Sequence, residues 1–581
     1  MADSLSLDFP VIKRDLLRSR RECSLRGLRH SAKWAAELAY MLRNVEANTS
    51  SPIGSLDDSS DLDEGYHLAK GYIDLQEYDR AAFLTTDAAA GPAQFLHYYA
   101  RYLSDEKKRL DDVVDPVTAT NPGASRALKD LQVELKAARP KLDGFGLYIY
   151  GVVLKRLQLR QLAIDVLVEA VCAEPLHWGA WVELSPLIKD RDHLLLLDLP
   201  DHWIKHFFLG HVFLELQLSE EALRVYKQLQ QGPFQDSPYL MAQVAVAHHN
   251  LRELDKAIEG FQALQQVDPY RLDNMDVYSN LLYVRERRDE LALLAHRTSA
   301  TDKYRPETCC IVGNFYSLRK QHEKAVLYFG RALRLNPNYF PAWTLMGHEY
   351  MEMKNTKAAI QAYRRAVEVN PRDHRAWYGL GQTYELLKMP AYCLYYYRLA
   401  QGLHPIDPRM TIALGEAYEK LDKQQEAKKC FWRARSLGDF QGLAVSRLAR
   451  VYERLGEHEQ RITPYFASMS PNRMASWSLP GIRGFHGLRA RLRRPSPPAE
   501  REELAHACCF LAKHHLARGQ LEGAHEYARR CTEFPETREE AKSLLKQVAE
   551  ARTALEQDGG AVDMQVGGRT PRATSVDTNF A

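Results

Sequence analysis

Five residues spaced 34 apart, Asn280, Asn314, His348, Gln382 and Glu416, form a column in this chain that has the means to hold a ligand. Four of the five directly follow a glycine. A second column, three residues further on, reads Tyr283, Ser317, Met351, Glu385 and Glu419. Asparagine and glutamine amides both donate and accept, which suits clamping the backbone of an extended peptide. Glutamates beside them suit a basic side chain, arginine above all, because a guanidinium meets a carboxylate through two parallel hydrogen bonds. This is recognition chemistry rather than bond-breaking chemistry. Polar residues also cover any exposed helix face, so the same columns could be solvated surface.

Catalytic signatures are missing from the sequence. It contains no GxxxxGK[ST] phosphate loop, no HExxH and no GxSxG. The stretch GLGQTY (379–384) resembles a dinucleotide loop but lacks the third glycine and falls inside a helical pattern. Cys508, Cys509, His514 and His515 are of the right types for zinc. However, His515 and Ala512 occupy the tyrosine and glycine positions of the repeat described next, so helix packing accounts for them. Adjacent Cys309 and Cys310 point to different faces of one helix. No enzyme activity, cofactor or metal is expected.

The columns are carried by a repeat of 34 residues. Glycine recurs at 313, 347, 381 and 415, and tyrosine at 316, 350, 384 and 418. Then come a small residue (Ala325, Ala359, Cys393, Ala427), an aromatic one (Phe329, Tyr363, Tyr397, Phe431) and an alanine (Ala332, Ala366, Ala400, Ala434). Pro337, Pro371 and Pro405 close three of the four copies. Glycine and tyrosine three apart share one helical face, and proline stops the second helix. The period and pattern are those of tetratricopeptide repeats, pairs of helices that stack because one pair cannot bury its apolar face alone. Weaker copies begin near 65, 147, 206, 241 and 508, giving roughly ten to thirteen hairpins. The fold class is therefore all-α, a right-handed superhelical solenoid.

Net charge is only +3, too balanced for a dedicated nucleic-acid binder. No apolar run is long enough for a membrane span, and the N-terminus lacks the pattern of a secretory leader. The nine cysteines show no CxxC pair and read as reduced intracellular thiols. Local basic excesses at 13–33 and 473–494 read as a solvated helix face and a surface loop, or as docking sites for acidic partners. Composition divides the chain into an N-terminal helix and acidic linker (1–64), a degenerate array (65–274), and a regular array (275–460) with the peptide groove. An irregular basic loop (461–500), closing helices (501–555) and a disordered tail (556–581) follow. Thr570-Pro571 and Ser496-Pro497 resemble proline-directed kinase sites.

Within 309–435 the sequence is more specific than a generic repeat. GNFYSLRKQHEKAVLYF, WTLMGHEYMEMKNTKAAIQAYRRA and YGLGQTYELLKMPAYCLYYYR closely resemble the family of subunit 8 of the anaphase-promoting complex (cyclosome). The resemblance is close over about 240–437 and looser toward the N-terminus. It implies a non-catalytic scaffold of a cullin–RING ubiquitin ligase that marks mitotic regulators, present in nucleus and cytoplasm. It further implies contacts with other subunits of that complex, a homodimer formed by N-terminal repeats, and a groove for the arginine of the C-box motif of WD40 coactivators. Asn314 in GNFYS and Glu349 in GHEYM match positions of that arginine pocket, with Glu385 and Gln382 assisting. A generic adaptor or cochaperone is the alternative, but a carboxylate-binding groove needs Lys/Arg in the column. A repeat-bearing glycosyltransferase would need a catalytic domain after the array.

Overall fold

A computed structural model of the chain describes residues 7–45, 64–86, 91–111, 125–438, 443–455 and, with short breaks, 508–562. Most of the acidic linker, the 461–500 stretch, Ser496, His514 and Thr570 lie outside the described residues. Every regular element among those described is helical. None of these helices is long and apolar enough to cross a membrane.

The first helices are α1 (Phe9–Leu25), α2 (Arg29–Met41), α3 (Glu64–Asp74), α4 (Tyr78–Leu84), α5 (Gly91–Asp111) and α6 (Arg126–Ala138). Next come α7 (Gly144–Arg156), α8 (Arg160–Ala173), α9 (Trp178–Leu184), α10 (Arg191–Leu195), α11 (Ile204–Glu215) and α12 (Ser219–Leu229). The central pairs are α13 (Pro238–Asn250) with α14 (Leu254–Val267), and α15 (Met275–Val284) with α16 (Arg288–Thr301). They continue as α17 (Pro306–Leu318) with α18 (His322–Leu335), and α19 (Phe340–Glu352) with α20 (Thr356–Val369). Then follow α21 (His374–Leu386), α22 (Pro390–Leu403), α23 (Pro408–Lys420), α24 (Gln424–Ser436), α25 (Leu443–Arg454), α26 (Leu521–Cys531) and α27 (Arg538–Val562). α27 runs into the segment expected to be disordered, carried by the helix formers of AEARTALEQ.

The repeat pattern has a direct physical cause. A Cβ at Gly347 would lie 2.5 Å from the Tyr363 ring, and one at Gly313 2.4 Å from the Phe329 ring. No real side chain tolerates such distances, so only glycine lets the second helix of the hairpin lie this close. The Tyr363 ring also fills the space beside Gly379 of the next repeat, where a Cβ would lie 2.5 Å away. One ring thus wedges two hairpins together. Trp343 and Trp377 each donate an indole N–H to the carbonyl of the proline six residues earlier, Pro337 (3.0 Å) and Pro371 (2.8 Å). That bond ties each hairpin to the loop that ends the previous one.

The turn inside each hairpin repeats as regularly. Arg252, Glu286, Lys320, Lys354, Lys388 and Asp422, each 34 residues after the last, take left-handed backbone with φ between 55° and 63°. The amide after each reaches back five residues, as Gln321 N to Tyr316 O (3.0 Å) and Asn355 N to Tyr350 O (2.8 Å). This is the Schellman closure of a helix end, here without glycine.

The N-terminal segment departs from expectation. In place of the single N-terminal helix expected within 1–64 there are two ahead of the acidic linker, broken at Gly27, whose φ is +72°. They are packed into the first array rather than set apart from it. Trp34 stacks on Trp178 at 4.5 Å, Ser19 Oγ donates to Leu176 O (2.8 Å), and Lys33 pairs with Asp273 (2.7 Å). Burial works against ionisation of Asp273, yet Lys33 and then Arg305 and Arg271 hold its pKa down at about 2. Much of the basic excess at 13–33 is spent in this way. Arg26 is buried between Glu22 and Asp143 and over the Phe145 ring, Arg29 pairs with Asp74, and Lys13 Nζ caps Val45 O at 2.5 Å.

The chain divides into two compact units, Met1–Thr383 and Tyr384–Ala581. The division falls inside the regular array, not at 274/275 where the repeat signature fades. In the second unit His515 stacks on Tyr527 (5.4 Å), and Cys508, Cys509 and Cys531 share a small buried cluster with Ala541. Among the described residues no group of three or more His, Cys, Asp or Glu is placed to hold a metal.

Two outcomes are expected from this packing. Gly347→Leu should lower the stability of the array by about 1–3 kcal/mol, or more if the backbone must shift. An unchanged thermal melt would contradict the wedge. His177 is fully buried against the rings of Phe145 and Tyr148, with neither ring nitrogen partnered. Burial, then the Arg26 charge, pushes its pKa down to about 3. The unfolded chain takes up that proton near 6.5. Between these values the unfolded state binds more protons, so stability should fall as pH drops from about 6.5 toward 3. His177→Phe should flatten part of that slope when denaturation midpoints are compared across this range.

Candidate functional site

The first unit brings Asn280, Asn314 and Glu349 into one polar cluster built on α15, α17 and α19. Asn314 is 2% exposed and Glu349 5%. Both are held by hydrogen bonds on the first helices of successive hairpins. Asn314 Nδ2 donates to Ser279 Oγ (2.8 Å) and to Asn280 Oδ1 (2.7 Å). With both amide hydrogens committed, its carbonyl oxygen is the end left to accept. Ser317 Oγ donates to Glu349 Oε1 (2.7 Å) and lies 3.3 Å from the Tyr283 hydroxyl. His322 Nδ1 sits 2.8 Å from Glu349 Oε2.

The cluster is thus preset to accept. A buried carboxylate and an amide carbonyl, each fixed by neighbours, can receive the N–H groups of a cation but offer it no donor. No fixed cation of the chain neutralises Glu349 among the described residues; its partners are a hydroxyl and an imidazole.

The other residues of the columns fare differently. His348 faces its own hairpin, with Nδ1 2.7 Å from the Tyr363 hydroxyl. Burial, then the Arg375 charge, pushes its pKa down to about 4. Gln382 lies half-buried on α21, and no hydrogen bond joins it to Asn314 or Glu349 among the described residues. Glu385, Glu416 and Glu419 belong to the second unit, where the chain supplies its own cations. Glu385 pairs with Lys420 and accepts from the Tyr397 hydroxyl (2.7 Å). Glu416 pairs with Arg447 (2.9 Å), its pKa raised by burial, and Glu419 pairs with Arg454 (2.7 Å). The cations that these glutamates meet are therefore internal ones.

Sequence reasoning did not find Ser279 or His322. Ser279 stands where the next four copies carry glycine, so the register reads it as a packing position, and the place of His322 is filled by unrelated residues (Arg288, Thr356, Pro390, Gln424).

Comparison with known proteins finds relatives over parts of this chain. Residues 11–245 match the family model described as anaphase promoting complex subunit 8 / Cdc23. Residues 306–339 and 347–388 match tetratricopeptide-repeat models. The cell division cycle protein 23 homolog of Homo sapiens is 50% identical over 296 residues, which is 50% of this chain and 49% of that protein. Anaphase-promoting complex subunit 8 of Arabidopsis thaliana is 43% identical over 262 residues, 44% of this chain and 45% of that protein. The chain spans about half the length of the curated relatives it matches. Among solved structures, the Cut9 and Hcn1 hetero-tetramer of the APC/C aligns with TM-score 0.54 and 17% identity, covering 94% of this chain and 97% of that one. That likeness supports the fold alone. Over the half that aligns, the sequence is recognised as a relative of anaphase promoting complex subunit 8 / Cdc23.

Proposed function

We propose that this chain is a non-catalytic scaffold subunit of an anaphase-promoting complex, a cullin–RING ubiquitin ligase of the cell cycle acting in nucleus and cytoplasm. In this reading the cluster of Asn314 and Glu349 receives the arginine of a C-box segment from a WD40 coactivator. The observation that carries the reading is a buried carboxylate and a fixed amide carbonyl on successive hairpins, in a chain with subunit 8 relatives. Such relatives carry the names of anaphase-promoting complex subunits, and the structural neighbour is itself a hetero-tetramer of Cut9 with Hcn1. A repeat scaffold offering tail-binding grooves fits membership of that kind.

Self-association through the N-terminal half belongs to the same proposal. The apolar stretch around 193–210 is partly satisfied within the chain, since Leu194, Ile204, Phe207 and Phe208 are buried in its own core. Leu195, Leu196, Leu75 and Phe83 remain largely exposed, and exposed apolar groups of this size favour a protein partner.

The groove reading is tested by Glu349→Gln and Asn314→Ala against an arginine-bearing coactivator peptide. Hydrogen bonds to a charged group contribute about 1.5–3 kcal/mol each. Either variant should therefore weaken binding by about one to two powers of ten, with helicity unchanged. Wild-type affinity in both would place the peptide elsewhere. For self-association, Phe83→Asp combined with Leu196→Asp should shift the full chain toward monomer in light scattering. A wild-type mass for that variant would remove these surfaces from the interface. Mass spectrometry of proteins captured from cell extract should recover the other ligase subunits.

A further inference from the structure

One repeat beyond Glu349, the first unit carries a second polar cluster that the arginine reading does not use. Its centre is Arg375, on α21. Asp373, fully buried just before that helix, accepts from the Arg375 backbone N–H (3.1 Å) and from its Nε (3.0 Å) through Oδ1. The other oxygen, Oδ2, accepts from Thr344 Oγ1 (2.8 Å). The carboxylate is therefore fully committed, and it fixes the direction of the guanidinium. Both terminal nitrogens of Arg375 are left without an acceptor among the described residues.

Among the described residues, the groups around Arg375 offer its charge no free acid. Solvent reaches 40% of the Arg375 side chain. His249 of α13 and His348 of α19 both lie within the reach of its charge. Burial, then that charge, pushes their pKa values down to about 4, so both imidazoles are neutral near pH 7. The Nδ1 of His249 is buried with no partner. Asp276 of α15, the remaining acid nearby, is occupied by the Tyr339 hydroxyl (2.7 Å), and burial raises its pKa. The Arg375–Asp373 pair is neutral overall, but the carboxylate engages the backbone N–H and Nε of Arg375 and leaves the terminal nitrogens of the guanidinium unengaged.

We propose that Arg375, aimed by Asp373, is an oxyanion subsite of the groove, taking a carboxylate or phosphate borne by an extended peptide. A planar guanidinium with free terminal N–H groups is the side chain best matched to such a group. The proposal rests on the reading that this groove holds a peptide, but not on the arginine clasp of Asn314 and Glu349.

The test uses the full chain and fluorescent Gly/Ala peptides carrying one arginine. A second position, moved through a series of registers, holds aspartate, phosphoserine or alanine. In at least one register aspartate or phosphoserine should bind about tenfold more tightly than alanine, the scale of one charge-assisted hydrogen bond. Which of the two gains more separates carboxylate from phosphate. The gain should vanish in R375Q, shrink in R375K, and persist in N314A. Dependence on the peptide arginine should instead vanish in N314A and persist in R375Q. If the arginine clasp is wrong, arginine dependence survives N314A while the anion gain still follows Arg375. If R375Q lowers the melting midpoint, R375K decides, since it keeps the charge and loses the fork. An anion gain absent in every register, or undiminished in both Arg375 variants, overturns the proposal.

Discussion

An aromatic or leucine side chain pressed against bare backbone sixteen residues earlier is the contact on which this chain is built. Leu167 lies on Gly151, Tyr226 on Gly210, Phe329 on Gly313, Tyr363 on Gly347 and Phe431 on Gly415, each so close that a Cβ would stand 2.4–2.7 Å from it. The distance between the two helices of a hairpin follows from that contact. Because the contact recurs with fixed spacing, the residue after each glycine recurs at a fixed place on its helix, and a column of side chains results. At Tyr363 the hydroxyl passes beyond the glycine and meets His348. That contact draws His348 into its own hairpin, whereas Asn314, above a phenylalanine wedge, makes no such contact.

This local character decides what the sequence could reveal. Glycine, wedge and proline lie within one 34-residue period, so their periodicity shows in the residues themselves, as did the column containing Asn314. The left-handed turn residues were hidden because lysine, glutamate, arginine and aspartate fill a place where glycine would have been a signal. Holding such residues there costs roughly 1–2 kcal/mol each, which the packed hairpins on either side offset. The N-terminal hairpin was hidden for a different reason. Trp34, Ser19 and Lys33 meet partners 144, 157 and 240 residues away, and nothing periodic connects them. At the site, Asn314 was legible from register, while Glu349 came from family resemblance alone.

The acids of the array separate into two kinds once their partners are known. Glu385, Glu416 and Glu419 face lysine or arginine from the chain that follows them, and such pairs largely cancel. A ligand cation arriving there would have to displace a tethered one. Glu349 faces a serine and a histidine, which hold its oxygens without fixed opposing charge. A buried carboxylate left in that state is costly by itself, and such cost is tolerated where a partner supplies the missing charge. The contrast, more than the presence of acids in the columns, underlies the proposal that Glu349 meets a partner.

On the proposed readings, Glu349 on α19 and Arg375 on α21 would also impose a direction. The first presents acceptors and the second presents donors, and each is held by hydrogen bonds that leave it little freedom to turn. A segment carrying opposite charges in matching order would satisfy both, whereas the same segment reversed would set like against like at each end. Discrimination by repulsion of this kind adds to whatever attraction each cluster provides. Ser317, His322, Asp373 and Thr344 are then the residues that make the discrimination possible, because an acceptor or guanidinium free to swing would accommodate either order.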